Sequence, residues 1–291
     1  MRARVESFEV GGLSVRLRTL APAGRLHDTL APTVVLVHGI GMSHRSFDRT
    51  QRHLARTHRT IAVDLPGFGG LPPAGRSLDL QELGDLVVRA VRSRGVGDLV
   101  LVGQSMGTQV VVEAARRHPD AVTAVVLVGP VVDPARRTLV QQATDLGRDC
   151  LVEDPRMNLV VLTDYLRSLR QYVRQLRPML RYRLEHTVPE LTQPVLVVRG
   201  DRDPIGRRDW AAAVAAAARR GVLVELPGGH HVQDGQPVAF ARLVDEFRRV
   251  QTVEDLAAGG PTGGPSTGGP STGGPSTGGP STGDSTTGPA R

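Results

Sequence analysis

The sequence predicts an α/β fold: a mostly parallel, doubly wound sheet with an antiparallel hairpin at the amino-terminal end and a helical insertion late in the chain. Three observations predict it. From Val34 onward, short runs of aliphatic residues alternate with longer segments whose apolar residues recur at helical spacing. Runs such as Val34-Val35-Leu36-Val37 and Ala124-Val125-Val126-Leu127-Val128 are apolar at every position, as strands covered on both faces are. A serine between two glycines stands where one such strand gives way to a helix.

The elements follow in order. Residues 5–10 and 13–20 flank Gly11-Gly12, a two-residue hairpin turn signal. The strand over residues 34–37 runs into His38-Gly39, and residues 46–56 form a helix. The strand at 60–63 ends in Asp64-Leu65-Pro66-Gly67-Phe68-Gly69-Gly70. Residues 79–92 have helical periodicity, with Leu80, Leu83, Val87 and Val91 on one face. A strand at 99–102, a helix at 106–117 and a strand at 124–128 come next. Residues 133–193 break the alternation with helical stripes, Leu159, Leu162, Leu166 and Leu169, then Tyr172, Leu176, Leu180 and Leu184. This segment is expected to form a lid, with the stripes packed on the core and its arginines facing solvent. A strand at 195–198, a helix at 209–219, a strand at 222–226 and a helix at 237–250 complete the pattern.

The chain has 291 residues, but from Gly259 it is built on a Gly-Gly-Pro-Ser-Thr repeat. Such a segment has too little apolar surface to offset its ordering entropy, so it is expected to be a disordered tail. The expected organisation is a core from residues 1–132 and 194–258, a lid from 133–193 and a tail from 259–291. With Cys150 as the one cysteine, no intrachain disulfide can form. The first residues include Glu6 and Glu9 and lack the apolar stretch of a signal peptide, and no run reaches the length of a membrane span. A soluble, cytoplasmic protein, monomer or homodimer, is expected. The net charge of +7 comes entirely from arginine, without lysine. The arginines are scattered and aromatics make up 3% of residues, which speaks against nucleic-acid binding.

The chemistry-bearing motif is Gly103-Gln104-Ser105-Met106-Gly107, between a strand and a helix. That turn is the nucleophile-elbow pattern, which strains the serine backbone and aims its hydroxyl over the end of the sheet. A serine hydroxyl needs a base to take its proton and a third group to orient that base. Gly200-Asp201-Arg202-Asp203 follows one strand and Pro227-Gly228-Gly229-His230 the next. Both therefore fall at the carboxyl ends of strands, where open α/β sheets place their sites. His231 competes with His230, and Asp133 and Asp201 compete with Asp203; Asp201 can also cap its turn.

With these motifs in this order, the chain resembles the α/β-hydrolase fold family, of the lidded esterase and carbon–carbon hydrolase type. The resemblance runs from about Val5 to Val250 and rests on His38-Gly39, residues 64–69, Gly103 to Gly107, Gly200 to Asp203 and Gly229-His230. It implies Ser105 as nucleophile, His230 as general base and Asp203 as orienting acid. It implies an oxyanion hole from the backbone amides of Ile40 and Met106, with Gly39, Gly41, Met42 and Gln104 around the substrate pocket. His38 is expected to brace its loop. His53, His58 and His118 are expected to be exposed and inert. Gly70 stands where the family often has serine, and Thr108 replaces a common second glycine. No metal-ligand spacing occurs, and serine hydrolysis needs no cofactor.

The expected function is hydrolysis of a carboxylic ester, thioester or lactone of a small apolar substrate. An alternative is cleavage of a carbon–carbon bond in a vinylogous diketone, since Gln104 is chemically close to the asparagine of Gly-Asn-Ser-Met-Gly elbows in such relatives. A ligand-binding protein without turnover is a third reading.

Overall fold

The computed structural model describes residues 3–24 and 32–257. Strands β1 (Arg4–Val10) and β2 (Leu13–Leu20) pair antiparallel around Gly11 and Gly12. Both glycines have positive φ, +58° and +76°, the conformation that a two-residue turn of matching twist demands. The remaining strands are β3 (Thr33–Val37), β4 (Thr60–Asp64), β5 (Leu99–Gln104), β6 (Val122–Val128), β7 (Val195–Gly200) and β8 (Gly221–Leu226). They run parallel to one another, and the sheet order is β1-β2-β4-β3-β5-β6-β7-β8. Because β3 lies between β4 and β5, the order reverses there, and the carboxyl ends of β3 and β5 flank the crevice where such sheets place ligands.

The helices are α1 (Asp48–Leu54), α2 (Leu80–Arg92), α3 (Met106–Arg117), α4 (Leu139–Asp149), α5 (Pro155–Arg181), α6 (Leu184–Thr187), α7 (Arg208–Ala217), α8 (Val232–Gly235) and α9 (Pro237–Ala257). The central strands β3, β5 and β6 are almost wholly apolar because they serve two cores. Val35, Val37 and Leu101 pack with residues of α2, α3 and α7 on one face. Val34, Leu36 and Val102 pack with Leu54 of α1 and Phe240 and Val244 of α9 on the other. Asp79 caps α2 by accepting the Glu82 N–H at 2.7 Å, an interaction worth about 1 kcal/mol.

Several boundaries differ from the sequence expectation, among them the following. The helix expected at 46–56 divides into a tight turn, His44–Phe47, and α1. Strand β6 begins two residues earlier, at Val122, and α9 continues to Ala257. His58 pairs with Asp245, and His118 with Asp85 at 2.8 Å, so neither is the idle surface residue expected. The tail expected at 259–291 lies outside the described residues.

Between β6 and β7 the chain is helical, and here the packing departs most from expectation. Leu159, Leu162, Leu166 and Leu169 do not pack on the core; they are 59%, 57%, 69% and 57% exposed. The face of α5 that turns inward carries Met157, Val160, Asp164, Ser168, Gln171, Gln175 and Met179. Asp164 and Gln175 are held by specific partners. Ser43 Oγ donates to Asp164 Oδ2 at 2.6 Å, and Gln175 Nε2 donates to the Leu78 carbonyl at 2.7 Å. Buried polar groups with hydrogen bonds carry little desolvation cost, so a polar stripe can occupy the inner face. Among the described residues, no helix is long and apolar enough to cross a membrane.

Candidate active site

Ser105 sits between β5 and α3 with φ 56° and ψ −123°, a region that a non-glycine residue occupies only when its surroundings enforce it. The Ser105 N–H donates to Val128 O at 2.9 Å, while the N–H and hydroxyl of Thr108 donate to Ser105 O at 2.9 and 2.6 Å. Thr108, at the position where a second glycine is common, thus fastens the turn. The flanking glycines leave no room for a side chain. A Cβ on Gly103 would lie 2.2 Å from the Gly107 carbonyl oxygen, and one on Gly107 2.2 Å from that of Val37.

The loop after β7 supplies Asp203 and the loop after β8 supplies His230; each is 3% exposed. Asp203 Oδ1 accepts the N–H groups of Ile205 and Gly206 at 2.8 and 2.9 Å, which turns Oδ2 to His230 Nδ1 at 2.9 Å. Burial alone would push the Asp203 carboxyl up. The charge and hydrogen bond of His230, with the two amides, outweigh it and hold the carboxyl below its ordinary value. His230 shows the reverse balance. Burial pulls its pKa down, but Asp203, then Asp149 and Glu153, push it up to about 9. With Nδ1 engaged, His230 Nε2 is buried with no hydrogen-bond partner among the described residues.

After β3 the chain turns tightly from Gly39 to Met42, closed by the Met42 N–H on Gly39 O at 3.2 Å, with Gly41 at φ +77°. A Cβ on Gly39 would stand 2.8 Å from Ser105 Cβ, so glycine there lets this loop approach the serine. His38 braces the loop. Its Nδ1 donates to Gly39 O at 2.7 Å and its Nε2 accepts the Leu65 N–H at 3.1 Å, while burial holds its pKa below the usual value. Met106 is the first residue of α3, where a backbone N–H has no intrahelical acceptor and the helix dipole favours an anion.

Ser105 and His230 line one cavity of about 470 Å³. Gly39, Ile40, Met42 and Gln104 line it too, whereas Gly41, expected there, does not: it packs against the rings of Tyr165 and Tyr172, which a Cβ there would strike. Both polar atoms of the Gln104 side chain are buried without hydrogen bonds. The opposite wall comes from the insertion, including Leu146, Tyr165, Tyr172, Leu176 and Leu180. No arginine, aspartate or glutamate is among the lining residues.

The competing residues lie elsewhere or in other bonds. Asp133 caps a turn through the Ala135 N–H at 2.8 Å, and Asp201 accepts the Gly228 N–H at 2.9 Å. His231 faces Glu153 at 3.4 Å and Asp149 at 3.9 Å. Those carboxylates also accept the backbone N–H groups of His231 and His230, at 2.6 and 2.9 Å, and join the insertion to the histidine loop. Possible ligand atoms of Asp149, Glu153 and His231 fall within 4.8 Å of one another. The sequence gives no sign of this group, because Asp149 and His230 stand 81 positions apart.

A sheet of this order, a strained serine after β5 and a carboxylate–histidine pair after β7 and β8 define a protein of hydrolase architecture. Comparison bears this out: residues 34–243 match the alpha/beta hydrolase family, and the chain belongs to it. It is 26% identical over 247 residues to the 2-(acetamidomethylene)succinate hydrolase of Mesorhizobium japonicum, covering 74% of this chain and 87% of that protein. It is 28% identical over 236 residues to the pimeloyl-acyl-carrier-protein methyl ester esterase of Nitrosospira multiformis, covering 69% and 88%. A thermophilic esterase from Thermogutta terrifontis shares the fold with a TM-score of 0.70 at 19% identity, over 86% of this chain and 99% of that one.

Proposed function

We propose that the protein is a serine hydrolase that cleaves a small, uncharged carboxylic ester, thioester or lactone through an acyl-enzyme. One observation carries the reading: His230, oriented by Asp203, keeps an unpaired Nε2 at the cavity that the strained Ser105 also lines. In this reading His230 Nε2 takes the Ser105 proton as Oγ attacks the carbonyl carbon. The oxyanion is met by the N–H groups of Met106 and Ile40, each such donor being worth about 10²–10³ in rate. His230 then protonates the leaving group, and a water activated by the same nitrogen attacks the acyl-enzyme to restore Ser105. Residues 133–193 act as the lid that supplies the apolar wall.

An apolar lining without arginine supports neutral acyl groups over carboxylated ones. A chain-length series of p-nitrophenyl esters, run beside carboxylated analogues, tests this; preference for the carboxylated set refutes the specificity. Ser105→Ala is expected to abolish turnover and fluorophosphonate labelling without loss of fold. Undiminished turnover in that variant refutes the nucleophile, and absent labelling of the native protein favours a binding role. Faster cleavage of a vinylogous diketone than of any ester favours carbon–carbon hydrolysis.

A further inference from the structure

The outer face of α5 has a composition that the proposed chemistry does not use. Leu159, Leu162, Leu166, Leu169 and Val173 are spaced three and four residues apart and are 57–69% exposed. At about 100° per residue these five fall within a sector of about 80°, a continuous apolar stripe along the helix. Arg167, Arg170, Arg174 and Arg177 follow on one side of it. None of the four pairs with a carboxylate among the described residues. The single acidic residue of α5, Asp164, is buried on the opposite side against Ser43 and Arg45. On the other side of the stripe stand Tyr165, Tyr172 and Leu176, which line the cavity. At the start of the stripe, Asn158 Nδ2 donates to Cys150 O at 2.8 Å, which brings Leu151, 85% exposed, to the same end.

We propose that α5 docks this protein onto an anionic lipid surface, with the leucine stripe entering the headgroup boundary and the arginine row meeting lipid phosphates. An amphipathic helix with leucines on one side and arginines beside them binds such a surface by apolar burial together with charge attraction. The charge pattern selects this occupant over two others. A second copy would bring two rows of unpaired arginines along one seam, with no carboxylate on either face to meet them. The Gly/Pro/Ser/Thr tail has no leucine, isoleucine, valine, phenylalanine or methionine to fill the stripe. Docking would set the mouth of the cavity beside the lipid.

The test is co-sedimentation of the full chain with vesicles of phosphatidylcholine alone and of phosphatidylcholine containing a third phosphatidylglycerol. The native protein is expected to partition about tenfold or more in favour of the anionic vesicles at low salt, and less at high salt. Leu162→Gln/Leu166→Gln/Leu169→Gln and, separately, Arg170→Gln/Arg177→Gln are expected to abolish that preference. The same variants should keep native melting and turnover of a soluble ester, because none of these side chains lines the cavity. Equal sedimentation with both vesicle types, binding that survives the leucine substitutions, or a native dimer dissociated by them would overturn the proposal.

Discussion

The charge balance around His230 has a direct kinetic consequence. Burial disfavours the imidazolium, yet Asp203, Asp149 and Glu153 together raise the pKa from 6.5 to about 9, an advantage of about 3 kcal/mol for the charged form. In the proposed mechanism His230 is the general base and must be neutral, so kcat/KM should rise with pH through about 9, and only about one molecule in a hundred is competent at pH 7. Asp149→Asn isolates one contribution. The amide oxygen still accepts the His230 N–H, as Asp149 Oδ1 does at 2.9 Å, so geometry is kept while a charge is removed. Asp149 is buried but forms no ion pair with the His230 ring, and at an effective dielectric of about 20 such a carboxylate is worth about 1–2 kcal/mol, or about one pKa unit. The inflection should therefore fall to about 8 and the rate at pH 7 rise about tenfold, with the high-pH plateau unchanged. The assay is initial-rate hydrolysis of a short p-nitrophenyl ester from pH 5 to 10, with the Ser105→Ala rate subtracted. A native inflection near 6.5, or one that does not move in the variant, refutes the reasoning.

Linkage extends this to stability. Because the folded pKa of His230 lies above the unfolded one, its contribution is complete below about pH 6.5 and is lost as pH rises through about 9. The melting temperature should fall across that window, and a flat profile counts against it. Ser105→Gly removes the side chain from a strained conformation worth about 1–3 kcal/mol, partly offset by the greater freedom of glycine in the unfolded chain. It should be inactive yet melt about 2–4 °C higher; a lower melting temperature contradicts the strain. Asp203→Asn should lower kcat by about 10⁴, because the histidine tautomer is no longer fixed. Truncation after Ala257 should leave kcat and KM unchanged, since the site residues lie between Gly39 and His230; a large change in either shows that the tail takes part.

The parts of the fold legible in the sequence are those whose physics is local. Gly11-Gly12 announces a hairpin because two successive positive φ angles have few other uses. The elbow glycines are legible because a side chain at either would meet backbone at 2.2 Å. Asp203 and His230 are recoverable because each follows its strand by a few residues and the sheet brings those ends together. The carboxylates of Asp149 and Glu153 are hidden because the insertion reaches His230 and His231 only in three dimensions.

The misassigned stripe of α5 shows why periodicity alone could not place the roof of the cavity. Periodicity identifies which residues share a face; it does not say what that face meets. Here the middle of the inward face is polar because it lands on the segments around Ser43 and Leu78 rather than on a strand or α-helix, and such segments present unpaired backbone and side-chain groups. Asp164 takes Ser43 Oγ and Arg45, and Gln175 takes the Leu78 carbonyl. Ser43 follows Met42 directly, so the helix roofing the cavity is tied to the turn that carries Ile40. A leucine at 164 would restore the expected amphipathic pattern and at the same time leave Ser43 and Arg45 without their partner. The polar inner stripe therefore couples the position of the insertion to the loop facing Ser105, and the apolar stripe is left free to meet something outside the chain.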